Sequence, residues 1–191
     1  MTDPKETLVR YLQVARDALV WKLDGLSEYD ARRPLTPTGT NLLGLIKHLA
    51  SVELGYFGDT FGRPHGIDLP WHADDAELNA DMWATPEESR EWVLDLYHRA
   101  WQHAAGTFDV LDLEARGEVP WWPADRRTVT LHQILVHMVA ETHRHAGHAD
   151  IVRETIDGAA GLRSESTNLP DEGYDWAGYA AQVEAAAGTF R

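Results

Sequence analysis

The chain has no cysteine in its 191 residues. Disulfides and thiolate metal ligands are therefore excluded, and any bound metal must be held by His, Asp, Glu or water. Basic residues are scarce: 17 Lys and Arg face 31 Asp and Glu, a formal net charge of -14. Such a surface repels the phosphates of nucleic acid and of anionic membranes. No stretch approaches the ~20 consecutive apolar residues of a membrane span. The start, Met1-Thr-Asp-Pro-Lys-Glu6, is polar and lacks an apolar signal core. No alternating strand pattern of note and no internal repeat is present. These absences point to a soluble, cytoplasmic protein whose partners are small molecules, with no nucleic acid and no membrane.

What is present suits a single domain over residues 1–191. Hydrophobic residues make up 43% of the chain and eight are tryptophan, enough for a core with large aromatic burial. Leu8, Leu12, Ala15, Leu19 and Leu23 recur at helical spacing, predicting a first helix from about Pro4 to Gly25. Ser27 to Asp30 reads as one short turn. Asn41 can cap a second helix to about Phe61, with Leu45, Ile46, Leu49, Val52 and Phe57 among its apolar positions. Residues 63–84 show no sustained period and form a long connection, with a candidate helical turn at Asp75–Met82. Thr85-Pro86-Glu87-Glu88 carries a capping box with proline at the first helical position, so a third helix is expected from there to about Phe108. The loop 118–127 holds Val119-Pro-Trp-Trp-Pro123. Thr130 and Gln133 repeat the capping signature before a fourth helix to about Ile156, and Asp175 can cap a short last helix over Trp176–Ala187. The expected fold is all-α: a four-helix bundle with long connecting loops, one of them lid-like, and a short C-terminal helix.

The fourth helix carries Glu141-Thr-His-Arg-His145-Ala-Gly-His148. Residues three and four apart share one helix face, so Glu141, His145 and His148 form a stripe that His137 extends by a turn. His48 lies in the apolar second helix. Three protein ligands with an open position is the catalytic pattern for zinc and related ions. On this reading His48, Glu141 and His145 hold the metal. His148 is a fourth ligand or, with His137, a proton carrier. The plain alternative stays open: ten histidines in one chain will cluster somewhere by chance, and a lone histidine such as His48 is more often a satisfied core residue than a ligand, so the case rests on the combination. His143 points off the stripe, and His65, His72, His98, His103 and His132 read as loop or surface residues. Trp121 and Trp122 either plug the end of the bundle or wall a pocket over the metal. Trp122, with Arg126 as an anchor for an anionic group, is the candidate cofactor-binding pair. Asp150 is expected to pair with Arg153 or solvent. Glu53, about 140° round the helix from His48, is not counted as a ligand.

The segments Leu42-Leu-Gly-Leu-Ile-Lys-His48-Leu-Ala-Ser-Val-Glu53, Val119-Pro-Trp-Trp122 and Thr130 to Glu154 resemble the DinB-like superfamily, and within it an actinobacterial subgroup. The resemblance runs from the first helix through Gly158. It implies a four-helix bundle, a divalent metal held by three side chains from the second and fourth helices, and frequent homodimers. The usual ligands there are three histidines. Glu141 in the middle position instead matches the mycothiol-dependent maleylpyruvate isomerase branch, which uses His, Glu and His. Several members are thiol S-transferases using mycothiol, bacillithiol or glutathione. The resemblance therefore implies a metal ion (zinc first, nickel or iron as alternatives) and a low-molecular-weight thiol as co-substrate. A metal-dependent hydrolase or isomerase, or a non-catalytic bundle that holds a metal or small ligand, are the competing expectations.

Overall fold

The computed structural model of the chain describes residues 3–73, 75–167, 169–170 and 173–191. Long helices carry most of it: α1 (Pro4–Val20), α3 (Leu42–Phe57), α4 (Arg90–Val110) and α5 (Leu131–Asp157), with the short α2 (Glu28–Arg32) and α6 (Trp176–Gly188). Their starts follow the capping residues. Asp3 accepts from the Lys5 amide, Asn41 from Gly44 at 2.7 Å, Ser89 from Trp92 at 3.1 Å and Thr130 from Gln133 at 3.2 Å. Two ends come early. Beyond Val20 and Phe57 the chain tightens into 3₁₀ turns at Trp21–Leu23 and Asp59–Phe61, where continuous α-helix was expected to Gly25 and Phe61.

The third long helix begins at Arg90, not at Pro86. The expected box forms only as a local turn, in which the Thr85 amide donates to Glu88 Oε2 at 2.8 Å. Arg32 explains why it goes no further. In a helix the carbonyls of Thr85 and Glu88 would accept from amides four residues on. Here the Arg32 guanidinium takes them, at 3.0 and 2.7 Å. The hairpin was not expected either. β1 (Arg116–Glu118) pairs antiparallel with β2 (Thr128–Thr130), Gly117 opposite Val129, and holds the Trp121–Trp122 loop at its tip. Three residues per strand are too few for a period to show.

α1 packs on α5 and α3 on α4, and contact between α3 and α5 closes the bundle. The core has two apolar clusters. One gathers Leu19, Leu45, Leu49, Leu96 and Val152; the other gathers Leu12, Phe57, Phe108, Leu135 and Met138. Between α1 and α3 lies a fully buried ion pair, Arg16 with Glu53. α3 is the enclosed member, with 14 of its 16 residues buried. The two exceptions, His48 and Val52, lie one turn apart and face the same cavity.

The connection between α3 and α4 is strapped to α3. Buried Lys47 donates to the carbonyls of Ala80 and Trp83, both at 3.0 Å, and pairs with Glu88 at 2.9 Å. Asn41 Nδ2 donates to Met82 O at 3.1 Å, and Trp71 Nε1 to Ser51 Oγ at 2.8 Å. Gly44 permits the closest approach, since a Cβ there would lie 1.8 Å from Met82 O. Within the connection the 3₁₀ turn at Ala80–Met82 falls inside the expected span, and the one at Pro70–His72 was not expected.

Candidate metal centre

α5 presents Glu141 and His145 one turn apart, and α3 brings His48 across to them. His145 Nε2 lies 3.0 Å from Glu141 Oε1, and His48 Nε2 lies 4.0 Å from the same oxygen. The two imidazole rings meet edge-on with centroids 5.0 Å apart. One ligand atom from each residue falls within 4.8 Å of the others, so the group could hold a metal ion. Bonds of ~2.1 Å in a tetrahedral arrangement require ligand spacings of about 3.4 Å, so closure needs only side-chain adjustment. His145 Nε2 meets Glu141 Oε1, while its Nδ1 is buried without a hydrogen-bond partner among the described residues. A further observation fits a cation. The His145 pKa lies below its ordinary 6.5, chiefly because burial penalises the imidazolium and then because of the neighbouring His48. The imidazole is therefore neutral at pH 7, as a metal ligand must be.

His48 has its outer nitrogen occupied. Its Nδ1 lies 2.6 Å from Asp81 Oδ2. That hydrogen bond holds the Asp81 carboxyl below the usual range against the opposing effect of burial. Sequence reasoning missed Asp81, which lies in a stretch with no period to place it.

A cavity of about 620 Å³ opens beside His48 and Glu141, and His145 lies outside its lining. α3 lines it with His48, Ser51, Val52, Gly55 and Tyr56; Asp59, His65 and His72 come from the connection, Trp121 from the hairpin, and Glu141 and His137 from α5. No lysine or arginine is among them. His65 and His72 are loop residues as expected, yet they turn to this cavity. Burial lowers the pKa of both, and His65 Nε2 sits 3.8 Å from Asp59.

The wall aromatic is Trp121, one residue before the expected Trp122. Gly55 leaves a gap that its ring fills: a Cβ there would lie 2.8 Å from the indole. The ring stands edge-on to Tyr56, centroids 5.1 Å apart, and remains half-exposed. Trp122 turns inward, donating from Nε1 to Tyr56 Oη at 3.0 Å and packing against the His137 ring. Arg126 is exposed and, with Trp122, borders a separate depression near Pro123 and Gln133. The expected cofactor-binding pair is thus not brought to this cavity.

The remaining candidates divide. His137 lines the cavity, edge-on to Tyr56. His148 stacks edge-on to His145 at 5.4 Å and is outside both the three-residue group and the lining. His143 is half-buried and also outside both. Glu53 is taken by Arg16. Asp150 pairs with Lys22 at 2.8 Å rather than with Arg153, because Arg153 is held by Asp157 and by the carbonyls of Lys22 and Asp24.

A carboxylate and two imidazoles, contributed by two helices of a bundle, with the carboxylate and one imidazole lining a cavity, define a DinB-like helical protein with a candidate divalent-metal site. The chain belongs to the family described as Mycothiol-S-transferase, whose model matches residues 7–158 and stops at the residue that caps α5. No curated protein matched the chain.

Proposed function

We propose that the protein is a zinc-dependent S-transferase that joins mycothiol to small electrophiles, with His48, Glu141 and His145 as the metal ligands. The observation that carries this reading is the convergence of those three side chains beside a large cavity in a member of the mycothiol-S-transferase family. A zinc-type ion, when bound, lowers the pKa of a thiol sulfur so that thiolate exists at neutral pH. His137, which faces the cavity, takes the thiol proton, with His148 as the alternative carrier. The sulfur forms the S–C bond, the leaving group departs with its electron pair, and the proton returns to it. Glu141 supplies the one negative charge of the ligand set.

The cavity supports a thiol without carboxylates. Its lining carries Asp59 and Glu141 and no Lys or Arg, so the two carboxylates of glutathione would find no cationic side chain to receive them. Trp121, half-exposed above the cavity, offers a flat face to the sugar part of an uncharged thiol. Arg126 and Trp122, in their separate depression, form an accessory contact for larger conjugates. We further propose one domain over residues 1–191, a homodimer and a cytoplasmic location.

The test is consumption of a monochlorobimane-type electrophile by the zinc-loaded protein, with mycothiol, with glutathione and with no thiol. Turnover with mycothiol alone is expected. Turnover without thiol would make the protein a hydrolase, and isomerisation of a substrate without net loss of thiol would make it an isomerase. Inertness of metal-loaded protein in every arm would leave a non-catalytic binding bundle. Nickel and iron loading in parallel would identify the active ion.

A further inference from the structure

We propose that Asp81 is a positioning residue for His48, and that Lys47 holds Asp81 in place. The inference rests on the metal reading above and adds to it a route from the connection to the ligand set. His48 Nδ1 meets Asp81 Oδ2 at 2.6 Å, which leaves Nε2 as the nitrogen turned toward Glu141. A carboxylate on the outer nitrogen of a ligating imidazole fixes ring orientation and tautomer and makes the inner nitrogen a better donor.

Asp81 does not reach that position through a helix. It sits in the Ala80–Met82 turn, which begins after Asn79 at φ 62°, in the left-handed region. The turn is held from α3. Lys47, next to His48 in sequence, donates to the carbonyls on either side of Asp81 and Met82, those of Ala80 and Trp83. Asn41 takes the Met82 carbonyl. Lys47 is 1% exposed, so its ammonium has been withdrawn from water in favour of these carbonyls and Glu88. Such desolvation is costly unless the partners are well placed. α3 thus carries the ligand and, one residue earlier, the group that sets the ligand's outer partner. Among the described residues His145 has no such partner at Nδ1, so His48 is the ligand whose orientation the fold specifies more tightly.

The experiment measures zinc affinity by competition with a chromophoric chelator, using full-length protein whose folding is checked by thermal melting. Asp81→Asn keeps the shape and loses the charge, and Asp81→Ala loses both. Affinity should fall by about 10–100-fold, least for the asparagine. Asp59→Asn, on the same cavity but away from His48, should leave affinity within about twofold. Lys47→Met should weaken affinity, and combined with Asp81→Ala should lose no more than Asp81→Ala alone, because the lysine acts through the aspartate. Wild-type affinity in folded Asp81→Ala overturns the positioning role, and additive losses in the double variant overturn the Lys47 route. A wild-type protein that binds no zinc, nickel or iron overturns the metal reading itself.

Discussion

Gly44 lies in the first turn of α3 and Gly147 in the middle of α5, and helix propensity favours alanine at both, by up to about 1 kcal/mol. The structure separates them. A Cβ on Gly147 meets nothing within 4 Å. A Cβ on Gly44 would lie 1.8 Å from Met82 O, 2.5 Å from its carbonyl carbon and 2.9 Å from the capping Asn41 Oδ1. Ordinary contact begins at 3.4 Å, so the Met82 carbonyl must retreat by the difference, 1.6 Å. That movement breaks the Asn41 bond to Met82 O and strains the Lys47 bonds to the carbonyls of Ala80 and Trp83. A neutral hydrogen bond contributes about 1 kcal/mol and one to a charged group about 1.5–3 kcal/mol. After the propensity gain is subtracted, Gly44→Ala should lose about 2–4 kcal/mol. For a chain of this size the melting temperature should fall by roughly 4–15 °C. Gly147→Ala should instead gain about 0.5–1 kcal/mol. Urea and thermal unfolding of the two variants check this directly. If Gly44→Ala is as stable as wild type, the connection is not seated against α3 as described, and the support for Asp81 fails with it.

His145→Ala should lose bound zinc while far-UV circular dichroism stays helical, and His143→Ala should keep wild-type stoichiometry by elemental analysis; metal retained in the first variant refutes the ligand assignment. Glu141→Gln should bind zinc more weakly, since a neutral amide is a poorer partner for a dication than a carboxylate. Arg16→Met leaves the Glu53 carboxylate buried without its cation and should cost about 3–5 kcal/mol in chemical denaturation. Trp121→Ala should raise KM for mycothiol by about 3–10-fold with a smaller change in kcat, the value of one aromatic contact; an unchanged KM would remove the indole from thiol binding. His65, His72 and His145 all have pKa values below the ordinary 6.5 because burial disfavours their charged forms. Between those lowered values and 6.5 the unfolded chain binds more protons than the folded one, so stability should fall as pH drops below about 6.5, a slope that unfolding curves between pH 7.5 and 5 would detect.

Periodicity was informative where a helix has one wet face and silent elsewhere. Glu141 and His145 are one turn apart on α5, so their joint reach could be read from spacing. His148 has nearly the same angular phase as Glu141, but seven residues carry it about 10 Å along the axis, where it lies edge-on to the ring of His145. His48 gave no phase, because α3 is buried nearly all round and its polar residues Lys47, Ser51 and Glu53 mark no single wet face. Which side of it faced α5 depended on its enclosure by α4 and the connection. Asp81, His65 and His72 lie in segments without a repeat, where backbone direction is set by contacts with α3 and not by neighbours in sequence. The capping box at Thr85 shows the converse. Its local signal is sound, and Arg32, more than fifty residues earlier, takes the carbonyls that a helix needs.

The amino-acid sequence alone determined that any metal here meets only nitrogen and oxygen, that the chain is helical, and that one helix face bears a carboxylate and an imidazole in register. Those properties depend on composition and on contacts within a few residues. The tertiary structure decided that His48 completes the group, that Asp81 stands behind it and that Trp121 rather than Trp122 borders the cavity. Each depends on how closely one backbone can approach another: Gly44 admits the Met82 carbonyl and Gly55 admits an indole. A missing side chain reads in sequence only as a glycine, and what fills its place is settled when distant segments pack.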